Sequence, residues 1–218
     1  MVPVSAARRS ILFDLDGTLS DPKLGITRSI RHAFEQLGRP LDPGLDLDFC
    51  IGPPLLQSLQ GLLGPGQAQL GPQALAHYRQ RYQALGLYEN TVYPGIPEAL
   101  DGLGPAADLY VATSKPTVFA LAILEHFNLS RHFKGIHGSE LDGARSDKGD
   151  LIAHVLKAEG LAAADTLMVG DREHDLLGAA KHGVRGVGAL WGYGSRQELL
   201  AAGAWGLLGS PAELAGLL

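Results

Sequence analysis

The chain of 218 residues lacks most features that mark secreted, nucleic-acid-binding or membrane proteins. Its one cysteine, Cys50, excludes a disulfide within the chain and fits a reducing compartment. Positive charge is not in excess, because 18 lysine and arginine residues stand against 23 aspartate and glutamate residues. The net charge of −5 disfavours binding to nucleic-acid polymers or membrane surfaces. No apolar run approaches the ~18 residues of a membrane span, so we expect a soluble, cytoplasmic protein.

Hydrophobic residues make up 45% of the chain, enough for a sizeable core, and their pattern predicts an α/β fold. Short apolar runs, typical of buried strands, alternate with longer segments in which apolar residues recur at helical spacing. This alternation favours βαβ units, and thus a Rossmann-like parallel sheet covered by helices on both faces. The predicted strands are residues 10–15, 108–113, 166–170 and 184–190, and the predicted helices are residues 117–127, 148–159 and 173–182.

The segment 20–93 breaks this rhythm and predicts a helical insertion after the first strand. Two amphipathic helices are expected, one with its apolar face across residues 26–37 and one across residues 72–85. Between them, proline and glycine pairs permit only short helices. We therefore divide the chain into an α/β core domain, residues 1–19 and 94–218, and a helical domain, residues 20–93.

Two aspartates lie at the end of the first predicted strand, in the sequence DLDGT. Asp14 and Asp16 are two residues apart, so in an extended chain their side chains point to the same side. In an open α/β sheet, ligands bind beyond the carboxyl ends of the strands. Two carboxylates that share this place repel each other unless a cation lies between them, and oxygen ligands favour Mg²⁺. The alternative is a simple turn, in which the aspartates cap backbone amides and Gly17 adopts a positive φ.

A second acidic motif, GDREHD, follows the third predicted strand. Asp171 and Asp175 are four residues apart, so a helical turn that starts there places both on one side. Alone, they could be acids that favour a helix N-terminus. Because Asp14 and Asp16 lie at the end of another strand of the same sheet, Asp171 becomes the third predicted metal contact.

Hydroxyl and ammonium groups are two further candidates for binding an anion. Thr113 ends the second predicted strand and Ser114 follows it, where free amides at the start of the next helix could bind a phosphate. The alternative is an ordinary helix cap. Lys148 is one of only six lysines and opens a predicted helix, where positive charge is disfavoured unless an anion lies nearby. Taken alone, a surface lysine is the default interpretation.

The order of these motifs along an alternating α/β chain resembles the haloacid dehalogenase (HAD) superfamily of phosphohydrolases. The resemblance covers nearly the whole chain, and residues 20–93 are similar to the helical cap that this family inserts after its first strand. Within the superfamily, the chain is most similar to the phosphoglycolate phosphatase branch and its 5′-nucleotidase-like members. The strings that carry this closer resemblance are IGPPL at 51–55, ATSKPTVFA at 112–120, VGDREHD at 169–175 and LWGYGSRQEL at 190–199.

The resemblance implies catalytic roles for four residues and a neighbour. Asp14 would be the nucleophile, and Asp16 would be the general acid and base. Thr113, with Ser114 beside it, would bind phosphate oxygens. Lys148 would offset the negative charge on Asp14 and on the phosphoryl group.

The same resemblance implies a Mg²⁺ site. Its ligands would be the carboxylates of Asp14 and Asp171 and the backbone carbonyl of Asp16, with Asp175 supporting the site from just outside. One departure concerns the helix that the catalytic lysine opens. Many members of the family have a proline after this lysine, whereas Gly149 stands here, so we expect a looser start of the helix.

These features together predict a Mg²⁺-dependent phosphomonoesterase that acts on a small soluble phosphate ester through an aspartyl-phosphate. The substrates that the resemblance favours are a nucleoside 5′-monophosphate or 2-phosphoglycolate. A HAD-type phosphomutase would carry the same motifs, and a non-catalytic phosphate-binding module would keep the fold. Gly52 and the aromatic loop 191–194 are weaker candidates for substrate contact, and the alternatives are a rigid turn and a cover for the sheet edge. We expect no nucleic-acid or membrane partner, and a monomer or weak homodimer.

Overall fold

A parallel β-sheet with helices on both faces forms the centre of the molecule. The computed structural model describes residues 8–218, and residues 1–7 of the predicted core domain lie outside the described part. Within residues 8–218, six strands pair side by side, all parallel, which confirms the predicted α/β fold class. In chain order, the strands are β1 (Arg9–Phe13), β2 (Ser20–Asp21), β3 (Thr91–Val92), β4 (Ala107–Pro116), β5 (Gly135–Ser139), β6 (Thr166–Gly170), β7 (Arg185–Ala189) and β8 (Gly206–Leu208). Two of these strands, β2 and β3, are short and pair with each other in a separate sheet.

The order of the strands across the sheet is β5-β4-β1-β6-β7-β8, which places β1 at the centre. Among residues 8–218, no helix is both long and apolar enough to cross a bilayer. In chain order, the α-helices are α1 (Lys23–Gln36), α2 (Leu55–Leu63), α3 (Gly71–Arg81), α4 (Ile96–Leu103), α5 (Thr117–His126), α6 (Lys148–Ala158), α7 (Glu173–Ala180) and α8 (Arg196–Ala201).

Strand β1 shows how both faces of the sheet are covered. Successive residues of a strand point to opposite faces. Ile11 and Phe13 belong to the larger buried cluster, together with Ile123 of α5. Leu12 belongs to a second buried cluster, together with Ile152 of α6. A continuous apolar run is therefore what a central parallel strand requires.

The four strands and three helices predicted for the core are confirmed, with ends that shift by up to three residues. The sequence pattern misses β5 and β8, which are the two edge strands of the sheet. β5 reads GIHGS and β8 is only three residues long, so neither has the apolar run that marks a buried strand. It also misses α4, α8 and the short pairing of β2 with β3.

The segment between β2 and β3 is helical, and its two ends meet. α1 and α3 pack against each other, and α3 continues into a π-helical turn, Tyr82–Gly86. β2 and β3 form a short antiparallel ladder in which Ser20 lies opposite Val92. The chain therefore leaves the sheet and returns to it at adjacent points. Buried residues of this segment belong to the same cluster as residues of β1, whereas the domain boundaries at residues 20 and 93 stay a prediction.

Candidate active site

The residues that the motifs single out meet at the carboxyl end of the sheet. β1 lies between β4 and β6, so the loops that follow these three strands are neighbours. Asp14 and Asp16 follow β1, Asp171 follows β6, and Thr113 lies near the end of β4. Each is exposed by 8% or less. Groups far apart in the sequence thus share one buried place.

Three carboxylates form an acidic cluster, to which Asp14, Asp171 and Asp175 each contribute an oxygen. These oxygens lie within 4.8 Å of one another, and all three side chains are buried. Asp14 and Asp171 are the two carboxylates expected to hold a metal, and the structure places them together. Asp175, expected just outside the site, belongs to the same cluster. The carboxylate of Asp16, for which only the backbone carbonyl is a predicted ligand, is not among the three.

Lys148, the first residue of α6, places its ammonium group between two of these acids. Its Nζ lies 2.9 Å from Oδ1 of Asp14 and 2.7 Å from Oδ1 of Asp175, and it donates to the carbonyl of Ala112 at 3.1 Å. Burial lowers the pKa of Lys148, but the two carboxylates outweigh this effect and hold the pKa above its usual value. The ammonium group therefore stays charged at neutral pH and offsets one of three negative charges.

The start of α6 is capped, where the sequence analysis expects it to be loose. Asp147 is the N-cap, and its carboxylate accepts hydrogen bonds from the backbone N–H groups of Gly149, at 2.8 Å, and Asp150, at 3.1 Å. A proline at position 149 could not donate the first of these bonds. The expected loosening is therefore wrong, and the cap fixes the backbone from which Lys148 extends.

Asp171 forms no ion pair with a lysine or arginine of the described chain. Its Oδ1 accepts from the Thr18 hydroxyl at 3.3 Å, and its Oδ2 accepts from the Tyr193 N–H at 2.8 Å. Burial, followed by the charges of Asp175 and Asp14, raises the pKa of Asp171 well above its usual value. Buried carboxylates with this excess of negative charge require either protons or a cation. A divalent ion that prefers oxygen ligands, such as Mg²⁺, fits this donor set.

Asp16 is held by Lys115, which the sequence analysis does not single out. Nζ of Lys115 lies 2.5 Å from Oδ2 of Asp16 and donates to the hydroxyl of Tyr82 at 2.8 Å. Burial raises the pKa of Asp16, and Lys115 opposes this shift. The sequence does offer one signal for Lys115: it is one of only six lysines in the chain, and it directly follows Ser114. A local motif cannot show, however, that this lysine reaches a carboxylate on another strand.

The two hydroxyl residues predicted to bind phosphate lie beside these acids. Oγ1 of Thr113 accepts from the N–H of Lys115 at 3.3 Å, and Oγ of Ser114 donates to the carbonyl of Ser146 at 3.2 Å. The pairing of β4 with β5 changes register between Thr113 and Pro116. Such an irregularity re-aims side chains at the end of a strand. Thr113 and Ser114 both line the cavity that adjoins the acids.

This cavity has a volume of about 240 Å³ and lies between the helical segment and the sheet. Asp14 and Asp16 line one end of it. The wall contributed by the helical segment includes Tyr78 and Tyr82, whose stacked rings have centroids 5.2 Å apart. Phe119 of α5 meets the ring of Tyr82 edge-on at 5.7 Å. The cavity therefore joins the acidic residues to an aromatic wall.

Gly52 lies where the helical segment meets the core, on the wall of the cavity. Its φ is +102°, and a Cβ at this position would lie 3.0 Å from Cγ of Arg172. Arg172 donates to the carbonyl of Ile51 at 2.8 Å and forms an ion pair with Glu198 at 2.8 Å. These contacts favour the rigid-turn interpretation of Gly52, and its contact with substrate stays a prediction.

The aromatic loop 191–194 contacts the acidic cluster and the turn after β1. Trp191 donates through Nε1 to the carbonyl of Thr18 at 2.9 Å, and the Tyr193 hydroxyl donates to the Asp21 carboxylate. The Tyr193 backbone also donates to Asp171. Neither aromatic residue is among those that line the cavity. The structure thus favours a covering role for this loop over stacking on a substrate.

Comparisons with known proteins agree with this fold. A family model described as "Haloacid dehalogenase-like hydrolase" matches residues 11–189. A protein of Pseudomonas aeruginosa named 5′-nucleotidase is 53% identical over 193 residues, which cover 88% of this chain and 87% of that protein. A phosphoglycolate phosphatase of Caulobacter vibrioides is 31% identical over 193 residues, which cover 84% of this chain and 80% of that protein.

Two further similarities concern a kinase and a solved structure. Tyrosine-protein kinase PtkA of Mycobacterium tuberculosis is 40% identical over 185 residues, which cover 84% of this chain and 62% of that protein. The crystal structure of a predicted phosphatase from Clostridium acetobutylicum has a TM-score of 0.91 and 38% identity, covering 97% of this chain and 98% of that chain. The names of these relatives therefore include both phosphatases and a kinase.

Proposed function

Because the chain belongs to the haloacid dehalogenase-like hydrolase family, we propose that it is a Mg²⁺-dependent phosphatase of small phosphate monoesters that works through an aspartyl-phosphate. The observation that supports this best is the position of Asp14. Its carboxylate is buried at the carboxyl end of β1, adjoins the cavity, and lies 2.9 Å from the ammonium group of Lys148. A carboxylate in this position can attack a phosphorus atom that enters from the cavity.

In this mechanism Asp14 forms a bond to phosphorus while the bond to the leaving oxygen breaks, which divides one difficult step into two. A phosphate ester dianion repels a carboxylate, and Lys148 reduces this repulsion from beside Asp14. Asp14, Asp171 and the backbone carbonyl of Asp16 would hold Mg²⁺, with Asp175 in support. The ion, when bound, would supply the remaining positive charge at the phosphoryl group.

Asp16 would carry out both proton transfers. As an acid it gives a proton to the leaving oxygen, and as a base it takes one from the water that hydrolyses the acyl phosphate. Burial raises the pKa of Asp16, which favours the protonated form that the first step needs. Its Oδ1 is buried and has no hydrogen-bond partner within residues 8–218. Thr113 and Ser114 would donate hydrogen bonds to the phosphoryl oxygens.

A nucleoside 5′-monophosphate suits the cavity better than 2-phosphoglycolate does. The stacked Tyr78 and Tyr82 give the leaving group an aromatic wall on which a planar base can pack. A glycolate carboxylate would need a free cation instead. Lys115 is already paired with Asp16, whereas Arg79 also lines the cavity and donates to a backbone carbonyl at 2.7 Å, so the aromatic wall, and not a lack of cations, favours the nucleotide.

The experiment that tests this function is phosphate release from nucleoside monophosphates, 2-phosphoglycolate and sugar phosphates, with Mg²⁺ and with EDTA. We expect Mg²⁺-dependent release that is fastest from a nucleoside monophosphate and falls by about 10³-fold or more in Asp14→Asn. Release from no substrate by folded protein would contradict the proposal. Transfer of the phosphoryl group to a sugar hydroxyl without net release of phosphate would replace the phosphatase by a mutase.

Residues 20–93 would act as a cap that covers the cavity, because this segment contributes one wall of it. The partner would be a small phosphate ester, with no nucleic-acid polymer or membrane involved. The protein would act in the cytoplasm as a monomer or weak homodimer, which size-exclusion chromatography with light scattering can test.

A further inference from the structure

Lys115 is a nearly buried lysine whose two partners belong to different parts of the chain. Its side chain is 5% exposed, and its Nζ lies 2.5 Å from Oδ2 of Asp16. The same Nζ donates to the Tyr82 hydroxyl at 2.8 Å and lies 4.9 Å from the centroid of the Tyr82 ring. Burying an ammonium group is costly unless it is paired and hydrogen-bonded. Two partners at these distances therefore define one position for Lys115.

The backbone around Lys115 is shaped to bring it there. Lys115 lies within the register change near the end of β4, between Thr113 and Pro116. On the neighbouring strand β5 stands Gly138, where a Cβ would overlap the carbonyl oxygen of Lys115. A glycine is needed at that position because the two backbones approach too closely for a side chain.

The ion pair with Lys115 leaves one oxygen of Asp16 available. Oδ2 is occupied by the ammonium group, whereas Oδ1 is buried and has no hydrogen-bond partner in the described chain, and Asp16 is one of the residues that line the cavity. The two oxygens of a carboxylate are equivalent, so a half-turn would restore the same arrangement, in which one oxygen pairs with the ammonium group and the other has no partner. The ion pair therefore fixes the plane of the carboxylate. One oxygen is thus left for the leaving group.

The second partner, Tyr82, extends this arrangement to the helical segment. Tyr82 begins the π-helical turn after α3, stacks on Tyr78 and meets Phe119 edge-on. Its ring is almost completely buried. Lys115 therefore joins a cavity-wall residue of the helical segment to a carboxylate of the core.

We propose that Lys115 is a positioning residue, which fixes Asp16 for proton transfer to the leaving group and ties this geometry to the closed position of Tyr82. The proposal rests on the proposed function, in which Asp16 is the acid. It assigns to Lys115 no contact with phosphorus. Its effect should therefore depend on how much the leaving group needs a proton.

Leaving-group dependence gives a readout that a purely structural role would not change. p-Nitrophenolate leaves well without a proton, whereas the 5′-hydroxyl of a nucleoside does not. In Lys115→Met we expect kcat for a nucleoside monophosphate to fall by about 10²-fold, and kcat for p-nitrophenyl phosphate by about threefold or less. Lys115→Arg, which keeps a cation, should recover part of the loss. Tyr82→Phe should raise KM for the nucleotide and reduce kcat less than Lys115→Met does.

Two comparisons make the test decisive. Lys157→Met removes the same charge from an exposed position on α6 and should match the unmodified protein. If Lys115→Met does not fold, Asp16→Asn is compared with the double variant Asp16→Asn/Lys115→Met, in which no buried charge is left unpaired. Once Asp16 is gone, loss of Lys115 should cost nothing further with either substrate.

The outcomes separate this proposal from the proposed function. Equal losses with both substrates in Lys115→Met, no loss with either, or a further tenfold loss in the double variant would each overturn the role of Lys115 while leaving the phosphatase intact. No release from either substrate by the unmodified protein would overturn the phosphatase, and the role of Lys115 with it.

Discussion

At the level of single residues, the acidic cluster is a set of charges buried together. Asp14, Asp171 and Asp175 carry three carboxylates and Lys148 carries one ammonium group, and each residue is exposed by 5% or less. An ion in such surroundings is less stable than in water by several kcal/mol unless a partner compensates it. One ammonium group cannot compensate three carboxylates, so full ionisation of the cluster requires a further cation. Loss of Lys148 should therefore destabilise the cluster strongly, because its ammonium group is paired with two of the three carboxylates.

Replacing Lys148 by methionine is expected to stop turnover and to lower the free energy of unfolding of the metal-free protein by ~3 kcal/mol. Asp14 and Asp175 would lose ion pairs of 2.9 Å and 2.7 Å. Urea unfolding in EDTA near neutral pH measures the change. Lys181→Met is the matched control, because Lys181 pairs with Asp147 on the surface, where the loss should be about 0.5 kcal/mol. Equal losses would contradict a special role for burial.

Spacing in the sequence decides which of these residues can be recognised beforehand. Asp14 and Asp16, like Asp171 and Asp175, stand in short motifs at strand ends, so their pattern alone indicates shared chemistry. Lys115 differs because its partners lie on other elements of the fold. The pairing is a product of the tertiary structure, and no local pattern encodes it. For Asp175, the motif indicates a place beside Asp171, and only the structure shows that its carboxylate is one of the three in the acidic cluster.

At the level of elements, the sequence predicts best those that are buried on both faces. β1 and β6 lie inside the sheet, and their continuous apolar runs set them apart from helices and turns. β5 and β8 are edge strands, and their glycine content or short length removes that signal. Their place depends on pairing with β4 and β7, which only the assembled sheet provides.

The contact of the loop 191–194 with Asp171 is seen only in the structure, and a glycine-to-alanine substitution in the loop can test its role. A Cβ at Gly192 would overlap the carbonyl oxygen of Gly17 and Cβ of Asp171. We expect Gly192→Ala to cost about 1–3 kcal/mol of stability and to weaken Mg²⁺ activation about tenfold, because Asp171 must move. Titration of activity with Mg²⁺ and thermal unfolding measure the two effects.

The control for this prediction is Gly61→Ala in α2. A Cβ there meets no atom within 4 Å, and alanine favours a helix over glycine. Stability should stay the same or rise, and the Mg²⁺ dependence should not change. A normal Mg²⁺ response in Gly192→Ala would mean that the loop does not position Asp171.

At the level of the whole molecule, the helical segment and the core enclose the cavity and are joined by polar contacts around it. Arg79 donates to the carbonyl of Leu141, Arg172 donates to the carbonyl of Ile51, and Lys115 donates to Tyr82. Each contact joins the helical segment to the core. Opening of the cavity would have to break these contacts.

Occupation of the cavity is therefore expected to protect the two crossings, Ser20–Asp21 and Thr91–Val92, from proteolysis. A bound anion would favour the closed arrangement, because a cap that closes over its ligand excludes water and cleavage enzymes. Limited proteolysis with and without Mg²⁺ and orthovanadate, followed by mass spectrometry of the fragments, measures the rate at each crossing. Cleavage at equal rates under both conditions would contradict cap closure. Asp14→Asn is the control, because it lacks the carboxylate proposed to contact the anion, and its cleavage rates should change less when Mg²⁺ and orthovanadate are added.

Stability of the metal-free protein should depend on pH through the buried carboxyl groups. Burial raises the pKa values of Asp16, Asp171 and Asp175, so the folded state binds protons more tightly than the unfolded chain. The stability that these protons contribute is present below the ordinary carboxyl pKa of about 4, and it is lost as pH rises through the raised values. In EDTA, the temperature of unfolding should therefore fall as pH rises above this point.

Mg²⁺ is expected to oppose this loss, because it binds the ionised carboxylates and releases their protons. The increase in unfolding temperature that Mg²⁺ produces should then grow with pH, since fewer protons have to leave when the ion binds. Calorimetry in Mg²⁺ and in EDTA at several pH values measures this increase in unfolding temperature. The contributions of titrating groups remote from the cluster are the same in both conditions, so they cancel in the difference. Asp171→Asn removes one predicted ligand and should abolish most of the Mg²⁺ effect. An increase that is independent of pH, or unchanged in Asp171→Asn, would show that Mg²⁺ does not bind at these carboxylates.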